Sequence, residues 1–210
     1  MVQLISHYGN DDNAVDVARV SYSKLASEYT AEQNARLIHY LVEHGHTSPF
    51  RHQTLQFRVS CPIYVERQLF KHQVGVSVNS ISGRYVDFSD SYTRITRWRK
   101  QSKNSKQGSE GFIDNQELAT ALQDHVIDKA KAAYIGLIAL GVSKEQARSI
   151  LPLALNTEFI WTGSFLAFVH MCHLRLKPDA QQETREVVEE MLEQVRLTND
   201  FTESLKAFKL

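Results

Sequence analysis

Between residues 68 and 85 the chain reads Gln68-Leu-Phe-Lys71-His72-Gln73-Val-Gly-Val-Ser77-Val-Asn79-Ser80-Ile-Ser82-Gly83-Arg84-Tyr85. Amides, an ammonium, an imidazole, hydroxyls and a guanidinium are crowded here without a glycine-rich phosphate loop. Such a set can grip a phosphate, a uracil-like edge or a flavin. A solvated surface explains it poorly, because it follows directly on a well-patterned strand and helix. Within it, Ser82-Gly83-Arg84-Tyr85 offers a glycine that lets backbone approach a ligand closely. Beside that glycine stand a hydroxyl and a planar fork suited to phosphate. Taken alone, the same four residues also describe a tight turn carrying a surface arginine.

Other reactive residues carry less. Cys61 falls on the apolar side of a strand and Cys172 in an apolar helix, so both read as core. His44, His46 and His52, or His170, His173 and Cys172, could be imagined as ligands. There is no His-Glu-x-x-His and no paired Cys-x-x-Cys, and no metal site is expected. His39 reads as an ordinary helix-surface residue. Arg94, Arg97, Arg99, Lys100, Lys103 and Lys106 form a basic run near Tyr92 and Trp98. Such a run could track single-stranded nucleic acid, but a solvated loop beside an anionic cofactor fits the balanced charge of the chain better.

The elements that must position these groups are partly legible. Residues 2–5 read as a strand, Asp12 to Val20 as a helix, and about Thr30 to Glu43 as a longer helix. Ala35, Leu37, Ile38, Leu41 and Val42 give the latter its stripe, and Gly45 ends it. Residues 53–61 alternate, with Leu55, Phe57, Val59 and Cys61 on one face, as in a half-buried strand. Pro62 then suits a first helical turn. That helix runs to about Lys71 or His72, which puts Gln68, Lys71 and His72 on one face. The segment holding Gly75 and Gly83 reads as loop or short strand, and residues 100–114 as loop.

From Gln116 to Leu140, Leu118, Leu122, Ile127, Ala130, Tyr134, Leu137 and Ile138 predict a long amphipathic helix closed by Gly141. Ser143 and Gln146 suggest a capping box for a short helix carrying Arg148, with Pro152 after its end. Helices from about Thr162 to Leu176, and from Asp179 onward, complete the chain.

Length and composition set the outer bounds. The 210 residues predict one domain, 1–210, large enough to bury a core. Twenty-four basic and 24 acidic side chains cancel, which argues against global steering toward nucleic acid or an anionic membrane. No apolar run suits a bilayer span, the start lacks the pattern of a signal peptide, and two cysteines give no disulfide framework. A soluble, cytoplasmic protein is expected.

The motifs together resemble the flavin-dependent thymidylate synthases. That family's signature is Arg-His-Arg, seven residues, then Ser, usually extended by Gly-Arg-Tyr. Here Lys71-His72-Gln73 stands for the triplet, and eight residues precede Ser82. Further matches are Ala18-Arg-Val-Ser21, Tyr40 to Phe50 with His44-Gly-His46-Thr-Ser48, Pro62 to Gln68, and Gly141 to Pro152 with Arg148. They cover, in order, about residues 15–95 and 130–185.

The resemblance implies an α/β (α+β) fold in which a mostly antiparallel sheet packs with long helices. It also implies a homotetramer whose active sites are shared between subunits. It assigns deoxyuridine monophosphate (dUMP) to Gln68, Lys71, Ser80, Ser82, Gly83, Arg84, Arg148 and Arg175. It implies that Arg175 is the catalytic residue, favouring ionisation at the uracil N3. Flavin adenine dinucleotide (FAD) would be held by His46, Ser48, Lys71, His72, Gln73, Asn79, Ser80, Ser164 and His170.

Lys71 and Gln73 replace two arginines. Ser80, Ser164, Leu166, His170 and Asp179 stand where glutamate, asparagine, arginine, asparagine and histidine are usual. Weaker FAD binding, or a re-registered loop, follows from these changes. The implied reaction is reductive methylation of dUMP to dTMP. Methylenetetrahydrofolate is the carbon donor, and NADPH-reduced FAD supplies the hydride. It needs no enzyme nucleophile, in keeping with the cysteines. The alternatives are another modification of the same pyrimidine carbon, such as hydroxymethylation, or a nucleotide-binding relative without flavin chemistry.

Overall fold

The computed structural model describes residues 1–87, 90–104 and 106–210. Its centre is the strand the alternation predicts, β2 (Thr54–Pro62), whose Leu55, Phe57 and Val59 are fully buried while Thr54 and Arg58 face water. β2 pairs antiparallel with β1 (Val2–Tyr8) on one side and with β6 (Asn156–Ser164) on the other. The short β3 (Val76–Ser80) adds to β6, giving the order β1-β2-β6-β3. Mixed helix and antiparallel sheet is therefore as expected.

β6 is a correction, since a helix was expected from about Thr162. The strand continues to Ser164, which then N-caps α6 (Phe165–Arg175) by accepting from the Ala167 N–H at 3.2 Å. The boundary is hidden because both elements are apolar. Phe159, Trp161 and Gly163 alternate inward, and α6 then buries almost everything from Phe165 to Cys172. Period 2 and period 3.6 merge into one hydrophobic run.

The helices form around this sheet for local reasons. α1 (Asp11–Arg19) begins where the Asn10 side chain accepts from Asn13 N–H at 2.8 Å. α2 (Ala31–Glu43) opens with a capping box between Thr30 and Gln33, and the chain leaves it through Gly45 at φ +69°. α3 (Ile63–Leu69) is shorter than expected: Pro62 is its N-cap and still belongs to β2, and the helix stops before Lys71.

A hairpin, β4 (Arg99–Gln101) with β5 (Ser109–Phe112), occupies much of the segment read as loop. Its strands are three and four residues long and largely exposed, so no alternation marks them. α4 (Gln116–Ala139) leads through Gly141 at φ +85° to α5 (Lys144–Ala147) and a 3-10 turn, Arg148–Ile150. The expected capping box does not form, since the Ser143 side chain makes no capping bond. Its carbonyl takes the Gln146 and Ala147 N–H groups instead.

The single C-terminal helix expected is two, α7 (Gln182–Arg196) and α8 (Thr202–Ala207). The Asp11 carboxylate pins α8 by accepting from the Glu203 and Ser204 N–H groups at 2.7 and 2.9 Å. Val188, Met191, Leu192 and Val195 of α7 close the core.

On α4 the predicted stripe is only partly buried. Ile127 and Tyr134 are inside, while Leu118 and Leu122 are 55% and 60% exposed. Leu122 and Val126 line an open apolar groove with Trp98 and Pro152. Among the described residues no helix is long and apolar enough to cross a membrane.

Candidate active site

The C-terminal end of α3, the turn after it and the last turn of α6 meet at Arg175. Its Nε donates to His72 Nε2 at 3.0 Å and its Nη2 donates to the Gln68 carbonyl at 2.7 Å. Gln68 uses its side chain elsewhere, bonding Gln181 just before α7. Because α3 ends early, the shared face predicted for Gln68, Lys71 and His72 does not form: His72 meets Arg175, which also takes the Gln68 carbonyl, while the Gln68 side chain turns to Gln181 and Lys71 is exposed. Burial lowers the pKa of Arg175 from its ordinary value, yet a guanidinium remains charged. Among the described residues no carboxylate pairs with it. His72 also titrates below the ordinary histidine value, because of its burial first and then the nearby Arg175 and His170.

A second cluster lies on the loop after β3 and on α5. Ser82 organises the loop: its carbonyl accepts from the Tyr85 N–H at 3.0 Å and its Oγ from the Arg84 N–H at 3.3 Å. The tight-turn reading and the presentation of Arg84 are thus one geometry. Gly83 is buried beneath. Arg84 Nε lies 3.3 Å from Glu145 Oε2, and Arg148 Nε donates to the Glu145 carbonyl at 3.4 Å. Lys144 Nζ donates to the Tyr85 carbonyl at 3.4 Å, joining α5 to the loop. Two of the three key arginines therefore converge on one short helix, while Arg175 stands in the first cluster. No hydrogen bond or ion pair joins the clusters among the described residues.

Of the residues the resemblance assigns to the flavin, Asn79 and Ser80 lie on the edge strand β3, Lys71, His72 and Gln73 precede it, and His46 and Ser48 lie between α2 and β2. Lys71, Gln73, Asn79 and Ser48 are exposed, and none spends its side chain on a hydrogen bond or ion pair with another described residue. His46 is exposed and meets Tyr40 edge-on, and His170 is exposed on α6. Ser164 caps α6 and touches the Gly75 turn, where a Cβ would come within 3.1 Å of its Oγ. Ser80 donates to Glu66 at 2.9 Å. The extra residue before Ser82 leaves β3 intact, because Val76 to Ser80 pair with Gly163 to Phe159 without a register shift. The chain turns at Gly75, φ +72°, just before the strand begins. Leu166 is buried in the core and offers nothing to a ligand.

Two participants escaped the sequence reading. Glu145 faces Arg84, and its signal was an acidic residue three before Arg148. Gln181 anchors Gln68, and no local pattern marks it. The cysteines lie where the strand and helix patterns put them. Cys61 is buried with its thiol pushed up to about 12 by burial, and burial raises the fully enclosed Cys172 as well.

Comparison with known proteins shows the family. Residues 3–198 match the family described as thymidylate synthase complementing protein. A flavin-dependent thymidylate synthase from Thermus thermophilus is 42% identical over 195 residues, 93% of this chain and 71% of the relative. One from Kosmotoga olearia is 39% identical over 188 residues, 88% of this chain and 80% of its own. Among solved structures, a UMP/dUMP methylase, PolB from Streptomyces cacaoi bound with 5-Br dUMP, superposes with a TM-score of 0.88 at 26% identity. That match covers 100% of this chain and 94% of that one. The chain belongs to the thymidylate synthase complementing protein family, the flavin-dependent thymidylate synthases.

Proposed function

We propose that the protein catalyses reductive methylation of dUMP at the pyrimidine C5, giving dTMP, with methylenetetrahydrofolate as the carbon donor. The observation that carries this reading is Arg175. It is a partly buried guanidinium whose bonds go to two neutral acceptors, with no carboxylate to cancel its charge. Such a group stabilises negative charge developing on a bound ring, which is what deprotonating or attacking a uracil produces. Arg84 and Arg148, gathered at α5, receive the monophosphate, with Ser82 and the buried Gly83 shaping the loop against it. Gln68, Lys71 and Ser80 complete the nucleotide site.

The accessible side chains assigned to the flavin fit it by donor type. Lys71 brings a cation for the pyrophosphate. Gln73, Asn79 and Ser48 bring neutral donors, and His46, His72, Ser80, Ser164 and His170 flank them. When bound, FAD supplies the hydride, recharged from NADPH, that reduces the transferred carbon to a methyl group. With Leu166 in the core and Gln73 uncharged, fewer cations face the cofactor than is usual in the family, and its affinity is correspondingly lower.

The separation of the Arg84–Arg148 cluster from Arg175 supports sites shared between subunits. The open apolar face of α4 supports an assembly, which we take to be a homotetramer of one-domain chains, 1–210, working in the cytoplasm. Mass analysis of the product from dUMP, methylenetetrahydrofolate and reduced FAD tests the reaction. A gain equal to methyl replacing hydrogen is expected. A hydroxymethyl adduct, or unchanged dUMP, would overturn it.

A further inference from the structure

Arg175 is held by one of its two edges. A guanidinium has five N–H donors in a planar fork. The edge bearing Nε and one Nη2 hydrogen is taken by His72 Nε2 and the Gln68 carbonyl. The other edge, with Nη1 and the second Nη2 hydrogen, has no partner among the described residues. For Nε–H to donate to His72 Nε2, that nitrogen must carry a lone pair. The imidazole is then neutral with its proton on Nδ1.

We propose that His72 is a positioning residue for Arg175, its unprotonated Nε2 fixing the plane in which the free guanidinium edge meets the pyrimidine. The inference rests on the reading of Arg175 given above and adds a second residue to that chemistry. The surroundings hold His72 in the required state. From α6 it faces Arg175 and His170, and Lys71 precedes it in the turn. Toward α7, Gln181 bonds Gln68, and Glu183 is engaged by Arg99 and Gln181. Burial first, then Arg175 and His170, disfavour the imidazolium. Adding a proton would abolish the acceptor and set two cations about a hydrogen-bond length apart. Arg175 would then swing away, and turnover would fall as pH drops through a value below that of ordinary histidine.

The test follows kcat and KM for dUMP across the histidine titration range, at saturating flavin and folate. It compares the unaltered enzyme with His72→Ala, His72→Gln and Arg175→Ala. Losing a hydrogen bond to a charged group predicts that His72→Ala lowers kcat/KM by roughly 10- to 100-fold. Glutamine places an acceptor at similar reach and cannot titrate. His72→Gln should recover most of that loss and flatten the acid limb.

An acid limb unchanged in His72→Gln, with Arg175→Ala inactive, would overturn the positioning role alone. An active Arg175→Ala would remove the underlying reading as well. Histidine-selective 15N spectra of the unaltered enzyme need no variant to fold. A neutral ring protonated on Nδ1 is expected, and one protonated on Nε2 would sink the proposal.

Discussion

Glu145 meets both arginines of the proposed phosphate site: its Oε2 lies 3.3 Å from Arg84 Nε and its main-chain oxygen accepts from Arg148 Nε. The carboxylate therefore competes with the nucleotide phosphate for Arg84, whereas the carbonyl would survive any side-chain change. Both partners are more than half exposed, and exposed pairs of this kind are worth about 0.2–1 kcal/mol. Glu145→Gln should accordingly lower the KM for dUMP by roughly 1.5- to 5-fold, with kcat little changed. The gain should narrow in high salt, as screening weakens the pair in the unaltered enzyme. Steady-state kinetics at two salt concentrations check this, and an unchanged or raised KM would argue against competition.

Gly163 and Trp161 face the core two residues apart on β6, with the indole lying over the glycine. A Cβ at position 163 would sit 2.5 Å from the ring, and Trp161 is buried among Phe57 and Phe168. The ring has no room to retreat in a packed interior. Gly163→Ala should cost about 1–3 kcal/mol, the range for overpacking. It should show as a lower urea midpoint with an altered tryptophan spectrum. A midpoint equal to that of the unaltered protein would mean the indole repacks freely.

How far the sequence reaches is clearest at β2 and β6. β2 announces itself because its inward Leu55, Phe57 and Val59 alternate with polar residues. β6 pairs with it along its whole length, yet it runs straight into the apolar helix α6 and loses its period. The site shows the same division. His72, Ser82 and Arg84 were legible as a motif, because local chemistry and spacing define one. Nothing local says that Arg175 reaches His72 across about a hundred positions, or that Gln181 holds Gln68. Those relations belong to the packing of α6 and α7 on the sheet.

The hairpin β4–β5 is tied to α7 by an ion pair that nothing local in the sequence marks. Arg99 Nη2 donates to both Glu183 carboxylate oxygens, at 2.7 and 3.0 Å, with both side chains mostly buried. Burial alone would raise the Glu183 carboxyl, but hydrogen bonds from Arg99 and Gln181 outweigh it and hold the group below the usual range. A carboxyl depressed in the fold stabilises fully above its unfolded pKa. That contribution is lost as pH falls through the carboxylate range toward the folded value. Glu183→Gln should cost about 1.5–3 kcal/mol at neutral pH, and the gap to the unaltered protein should shrink on acidification. Urea midpoints at neutral and acidic pH measure both. A gap independent of pH would exclude the carboxylate as its source.

Cys61 decides between two ways of methylating a pyrimidine. A synthase that works through a cysteine needs a thiolate able to reach the ring, and the reactive species is always the thiolate. Here the thiol faces the core from β2, 4% exposed and pushed up to about 12, and Cys172 is fully buried. Neither offers an anion at neutral pH. Cys61→Ala should therefore keep turnover within roughly twofold, since no step passes through the sulfur. Its stability should fall by about 1 kcal/mol for the small cavity. Native protein should also resist iodoacetamide until denaturant is added. Loss of turnover in Cys61→Ala with folding intact would place a covalent sulfur adduct back in the reaction and remove the need for Arg175 to stabilise the ring's charge unaided.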